Sequence, residues 1–176
     1  MITALTLNPC IDHTINVAGF KYGGTNKVLK TFKDVAGKGI DSNIVIMQMG
    51  RPTRAIIFEY ADGLSAAKEL EKMGIECRSI PVEGELRTNI KIFDEETTEM
   101  SECNASGNPV KPKDADKMLE LIIDSLSDTE ILIVNGSVPP GVPSDFYYKV
   151  ITEAKKRGIP TILDADNQLF AEGVKA

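Results

Sequence analysis

Histidine occurs once in this 176-residue sequence, cysteine three times and tryptophan not at all, and aromatic residues make up only 6%. With His13 alone, no Ser-His-Asp or Cys-His nucleophilic arrangement can be assembled unless that residue folds beside a suitable partner, and it is read as a surface or flap residue. Cys10, Cys77 and Cys103 are odd in number and form no closely spaced ligand pair, which disfavours a disulfide framework and a zinc site. They are expected to be reduced thiols packed as small hydrophobes. No apolar run is long enough to cross a membrane and the N-terminal segment, residues 1–9, carries no positive charge, so the chain reads as cytoplasmic. Basic excess is also missing. A formal net charge of -6 disfavours nucleic acid and anionic membrane as partners, whereas a small anionic ligand stays open if basic residues converge locally.

What the sequence has is enough apolar residue, 42%, for one core, since a domain of about 150 residues buries about 68–70% of its unfolded surface. Short β-rich blocks recur at residues 2–7, 54–58, 77–80, 131–134 and 161–163. Between them lie helical patterns. Over 113–127, Ala115, Met118, Leu119, Ile122 and Leu126 fall at helical spacing behind Pro112. Over 144–157, Ser144 is the expected N-cap, Lys155, Lys156 and Arg157 suit the C-terminal end of the dipole, and Gly158 and Pro160 stop the helix. This alternation predicts an α/β fold with a parallel sheet. Residues 13–35 and 87–103 break the rhythm, and the alternation in Thr88-Asn89-Ile90-Lys91-Ile92 predicts a small β flap beside the main sheet. Neither repeat nor linker divides the chain, so residues 1–176 are read as a single domain.

Ligands of open α/β sheets bind beyond the carboxyl ends of the strands, which directs attention to four segments. In Asn8-Pro9-Cys10-Ile11-Asp12, Asp12 can accept hydrogen bonds from a polyol or can simply close a turn. Ala36-Gly37-Lys38-Gly39-Ile40-Asp41 leads into an apolar helix at 44–49, where glycines, free amides and Lys38 suit an anionic or hydroxyl-rich ligand; a tight turn is the plainer alternative. Arg87 and Asn89, two apart, project from one strand face. Asn135-Gly136-Ser137 presents a hydroxyl at a strand end. Neither the GxxxxGK[ST] nor the GxGxxG fingerprint is present. Glu95-Glu96 and Asp164-Ala165-Asp166 are carboxylate clusters expected to be solvated rather than metal-bound.

Taken together, Thr6-Leu7-Asn8-Pro9-Cys10-Ile11-Asp12, Gly37-Lys38-Gly39-Ile40-Asp41, Gly84-Glu85-Leu86-Arg87-Thr88-Asn89-Ile90-Lys91-Ile92 and Asn135-Gly136-Ser137-Val138-Pro139-Pro140-Gly141 resemble, in order and spacing, the phosphofructokinase-B branch of the ribokinase-like sugar kinases. The resemblance covers essentially the whole chain. It implies a parallel-sheet sandwich with a small β lid, and ATP-dependent phosphorylation of a sugar phosphate, of the 1-phosphofructokinase or tagatose-6-phosphate kinase type. By the same resemblance Asp12 contacts sugar hydroxyls, Gly37 and Lys38 hold the sugar or its phosphate, Arg87, Asn89 and Ser137 line the pocket, and Lys27 occupies a lid position often held by arginine.

Several residues depart from the family pattern. Ala36 replaces a glycine, and Asp41 stands where an asparagine is usual; a carboxylate cannot donate the amide hydrogen bond and repels a phosphate. Phe58-Glu59-Tyr60-Ala61-Asp62-Gly63 replaces a glycine-rich segment. The Gly-x-Gly-Asp and Asn-x-x-Glu motifs of the family are absent, so the determinants for ATP and Mg are largely missing from this sequence. The expectation is therefore a substrate-binding N-terminal portion, inactive by itself and self-associating through its lid or an open sheet edge. A non-catalytic sugar-phosphate-binding or assembly module is the alternative.

Overall fold

The apolar blocks of the sequence become a parallel sheet whose central strand is buried along nearly its whole length. The structure, a computed structural model, describes residues 1–176. Strands β1 (Ile2–Thr6), β4 (Thr53–Asp62), β5 (Glu76–Glu85), β8 (Ile131–Asn135) and β9 (Thr161–Asp164) form one sheet in the order β5-β4-β1-β8-β9. All its pairings are parallel. Ala4 and Leu5 in β1 and Ala55, Ile56, Ile57 and Phe58 in β4 are fully buried, as a strand covered on both faces requires. The helices α1 (Lys38–Gln48), α2 (Ala66–Lys72), α3 (Pro112–Ser125), α4 (Phe146–Lys156) and α5 (Asn167–Gly173) complete the layers.

The expected lid is a second sheet, β2 (Cys10–Val17), β3 (Val28–Ala36), β6 (Arg87–Asp94) and β7 (Glu99–Cys103), in the order β3-β2-β6-β7. A single buried residue, Leu86, separates β5 of the main sheet from β6 of the lid, so the two sheets are hinged at that point. Seven of nine residues in β3 and all five in β7 are exposed, which explains why lysines and glutamates alternate there with apolar residues. His13 lies on the lid, where Nε2 meets Thr31 Oγ1 at 2.7 Å on the exposed surface.

Some local expectations need correction. Ser144 is not the N-cap of α4: Asp145 holds that position, because a turn with Phe146 N–H donating to Pro143 O at 3.1 Å shifts the helix start by one residue. The helix expected at 44–49 begins at Lys38, immediately after Gly37, since Gly37 breaks the preceding strand and leaves the next amides free to start a turn. Cys103 is exposed on the outer strand and is no core thiol, whereas Cys10 is buried and Cys77 half-buried. Residues 58–63, in place of a glycine-rich segment, extend β4 to Asp62 and pair it with β5 across an irregularity between Tyr60 and Asp62.

Candidate functional site

Strand order fixes where a ligand can sit. From β1 the chain steps outward through β4 and β5 on one side and through β8 and β9 on the other, so the crevice beyond the carboxyl ends of β1 and β8 is the topological switch point. Three segments meet there: Leu7-Asn8 after β1, Gly136-Ser137 after β8, and the start of α1. Two glycines let α1 approach so closely. Gly37 has φ +142, and a Cβ there would stand 2.5 Å from Thr6 Cγ2; at Gly39 a Cβ would fall 2.2 Å from the carbonyl oxygen of Leu5.

The resulting cavity is about 240 Å³ and has no apolar residue in its wall. Thr6, Asn8, Gly37, Lys38, Arg87, Asn89 and Ser137 line it, with Asn104, Asn135, Gly136 and Asp166 completing the rim. Asn8 Nδ2 donates to Ser106 O (3.1 Å) and Ser137 Oγ (3.0 Å), tying the β1 turn to the β8 turn. Asn135 Nδ2 donates to Ser42 Oγ (2.9 Å) and Lys38 O (3.2 Å), holding the first turn of α1. The buried Tyr147 hydroxyl shares its one proton between Asn135 O (3.2 Å) and Gly136 O (3.1 Å), fixing the turn from below.

Arg87 is a clamp. Its Nε and one terminal nitrogen donate to Asn8 O at 3.1 and 2.9 Å, and the other to Ala105 O at 2.6 Å and Asn89 Oδ1 at 3.3 Å. All these acceptors are neutral, so the guanidinium stands at the cavity wall with its charge uncompensated. Lys38 Nζ reaches Asp164 Oδ1 at 3.1 Å, but both side chains are about half exposed, so this pair is weak and exchangeable.

The inner face of the lid adds a second group. Asp12 and Asn89 are register partners on β2 and β6, and Asn89 Nδ2 donates to Asp12 Oδ1 at 3.1 Å. Lys91, two residues along β6, forms an ion pair with Asp12 Oδ2. Burial works against ionisation of Asp12, but hydrogen bonds from Lys91, Asn89 and the Cys10 thiol outweigh it and hold the carboxyl below its ordinary range. Burial and the Asp12 charge push the Cys10 thiol up to about 12, so it is not a nucleophile. Asp41, in the first turn of α1, is raised by burial and by the charge of Asp12, with Lys91 opposing.

Of the residues singled out in the sequence, Gly37, Lys38, Arg87, Asn89 and Ser137 meet at the cavity, and Asp12 adjoins it through Asn89. Asp41 stands beside the Asp12 group on α1. Lys27 lies on the exposed loop between β2 and β3 and does not line the cavity. Sequence reasoning assigned no site role to Thr6, Asn135 or Lys91, which stand inside its motifs, marked Asp166 only as a solvated carboxylate, and did not mark Asn104 at all. Lys91 was within reach, because the period of two that pairs Arg87 with Asn89 continues to it. Asn104 and Asp166 carry no such signal, being brought in by loops. No group of three or more His, Cys, Asp or Glu converges, and the carboxylates at the rim of the cavity are Asp164, paired weakly with Lys38, and Asp166. Nor is any helix long and apolar enough to cross a membrane.

The family model for pfkB family carbohydrate kinases matches residues 5–176. A tagatose-6-phosphate kinase from Staphylococcus epidermidis is 30% identical over 173 residues, which is 98% of this chain and 55% of that protein; the chain thus spans about half the length of such relatives. Among solved structures, one described as a possible 1-phosphofructokinase from Thermotoga maritima superposes with a TM-score of 0.92 at 27% identity, covering all of this chain and 57% of the other. The tetrameric inhibited form of phosphofructokinase-2 from Escherichia coli matches with a TM-score of 0.87 at 21% identity, over 99% of this chain and 57% of that one, a likeness of fold.

Proposed function

The chain belongs to the pfkB family of carbohydrate kinases, and from that premise we propose that it supplies the sugar-phosphate site of an ATP-dependent kinase of the 1-phosphofructokinase or tagatose-6-phosphate kinase type. The observation that carries this reading is the uncompensated Arg87 guanidinium beside a wall made of amides, hydroxyls and the start of α1. Such a wall suits a polyol, and such a cation suits a phosphate. On this reading Asp12 and Asn89 accept from and donate to sugar hydroxyls. Amides at the start of α1, with Ser137, meet the phosphate, and Lys38 exchanges Asp164 for it.

In the family the γ-phosphoryl group comes from Mg–ATP. Transfer of that group depends on positioning and charge stabilisation, and because the Gly-x-Gly-Asp and Asn-x-x-Glu motifs are absent from this sequence, binding without turnover is expected of it. The lid supports self-association: Phe32, Phe93 and Met100 share its inner face beyond the site, and Phe32 and Met100 are about half exposed. Reduced thiols and a phosphorylated sugar ligand accord with the cytoplasm.

Calorimetric titration with fructose 1-phosphate, tagatose 6-phosphate and the corresponding free sugars tests the proposal. Saturable binding of a phosphorylated sugar, at least tenfold tighter than its free counterpart, is expected from one charge-assisted contact worth roughly 1.5–3 kcal/mol. Equal, weak heats for all four compounds would refute it. ATP-dependent phosphorylation by the purified chain would refute the expectation of binding without turnover.

A further inference from the structure

Apart from Lys30, which is paired with Glu95 further along the lid, the inner lid face carries a cation that no part of the sugar-phosphate reading uses. Lys91 pairs with Asp12 Oδ2 from β6, while its ammonium also lies 3.9 Å from Glu102 Oε1 on β7. Register explains the reach: Lys91 stands opposite Thr14, one same-face position along β2 from Asp12, and opposite Glu102 on the other side. Its side chain is about a quarter exposed and that of Asp12 less, so the pair is shielded well beyond the surface pair of Lys38 and Asp164.

Carboxylates from two strands close on this ammonium, Asp12 on β2 and Glu102 on β7, and Asp41 on α1 adds its field. Arg87, Asn89 and Cys10 also face Asp12, and Asp34, its register partner on β3, stands on the same face. Two carboxylates in one another's field raise each other's ionisation range, and a cation close to both offsets that repulsion. Asp41, which should by itself repel an anionic ligand, is in the field of both Asp12 and Lys91.

We propose that Lys91 is a positioning residue of the sugar site, locking the carboxylate of Asp12 in one orientation and serving as the counter-ion that offsets its carboxylate neighbours. With Oδ2 held by Lys91 and Oδ1 by Asn89, Asp12 is presented as an acceptor to a sugar hydroxyl. Without Lys91, Asp12 takes up a proton at a higher pH. A protonated Asp12 becomes a donor, and the sense of its bond to the hydroxyl reverses. The inference rests on the sugar-site reading above.

The test joins two measurements on the intact chain. Carboxylate carbon NMR follows the titration of Asp12 without ligand, and calorimetry follows fructose 1-phosphate and tagatose 6-phosphate between pH 5 and 8. Lys91→Met is expected to raise the Asp12 midpoint and to weaken binding about tenfold, more at the acidic end. Lys91→Arg should restore both, since it keeps the charge. Adding Asp41→Asn to Lys91→Met should recover part of the affinity, because the repulsion that Lys91 offset is gone. A folded Lys91→Met with wild-type affinity and an unchanged Asp12 midpoint would overturn the proposal, as would no recovery from Asp41→Asn. If the wild-type chain binds neither sugar phosphate, the site reading itself falls. Should Lys91→Met not fold, Lys91→Arg and the wild-type titration decide: an Asp12 midpoint at or above the ordinary carboxyl value excludes the ion pair.

Discussion

Arg54 is the most deeply buried cation of the molecule's ion pairs, and its environment shows how a charge is tolerated under a sheet. The side chain, 7% exposed, donates to both oxygens of Asp128 at 2.7 and 2.8 Å and to Ser125 O at 3.3 Å, and also pairs with Glu76. Both acids reach solvent, so Arg54→Ala lets them rehydrate, the Ser125 carbonyl still accepts from Thr129 Oγ1 at 2.7 Å, and the loss comes mainly from packing. A destabilisation of about 2–3 kcal/mol is expected in urea unfolding, below the cost of breaking a fully buried pair. The hydrogen bonds from Arg54 also lower the Asp128 carboxyl from 3.8 to about 2. A depressed acid contributes stability that is present above its unfolded value and is lost as pH falls through the folded value. Thermal midpoints should therefore fall between pH 4 and 2 in the wild type, and this part of the fall should be absent in Arg54→Ala.

At the scale of elements, the site depends on two close approaches. Gly39 lets α1 lie on the end of β1, and Gly39→Ala drives a Cβ into the Leu5 carbonyl, a main-chain atom that cannot rotate away. Loss of sugar-phosphate binding is expected together with a drop in the thermal midpoint; an alanine variant with unchanged affinity would show that this approach does not shape the site. Tyr147 on α4 supports the β8 turn with a hydrogen bond shared between two main-chain carbonyls. Tyr147→Phe is expected to cost about 1–2 kcal/mol and to weaken binding, since Asn135 and Gly136 lose their support. These elements were only partly legible in the sequence. All five strands of the main sheet and α3 follow from periodicity, because apolar spacing reports burial directly. The short helices α2 and α5 do not, as each has seven residues and too few turns to establish a period.

For the whole molecule, the sequence located the loops that converge, because the topology of a parallel sheet brings strand ends together regardless of loop detail. What it did not convey is which charges neutralise one another. Lys38 turns toward Asp164, Arg87 toward main-chain carbonyls, and Lys91 toward Asp12, and each pairing follows from three-dimensional register rather than from spacing along the chain. The lid residues Phe32, Phe93 and Met100 likewise become one surface only once β3, β6 and β7 are set side by side. The measurement that tests the central claim most directly is a calorimetric titration of this chain with fructose 1-phosphate and tagatose 6-phosphate, repeated on Lys38→Ala. Saturable binding of one of them, weakened about tenfold or more by the substitution, is expected if the cavity between β1, β8 and α1 is a sugar-phosphate site. No saturable binding, or binding that Lys38→Ala leaves unchanged, would contradict it.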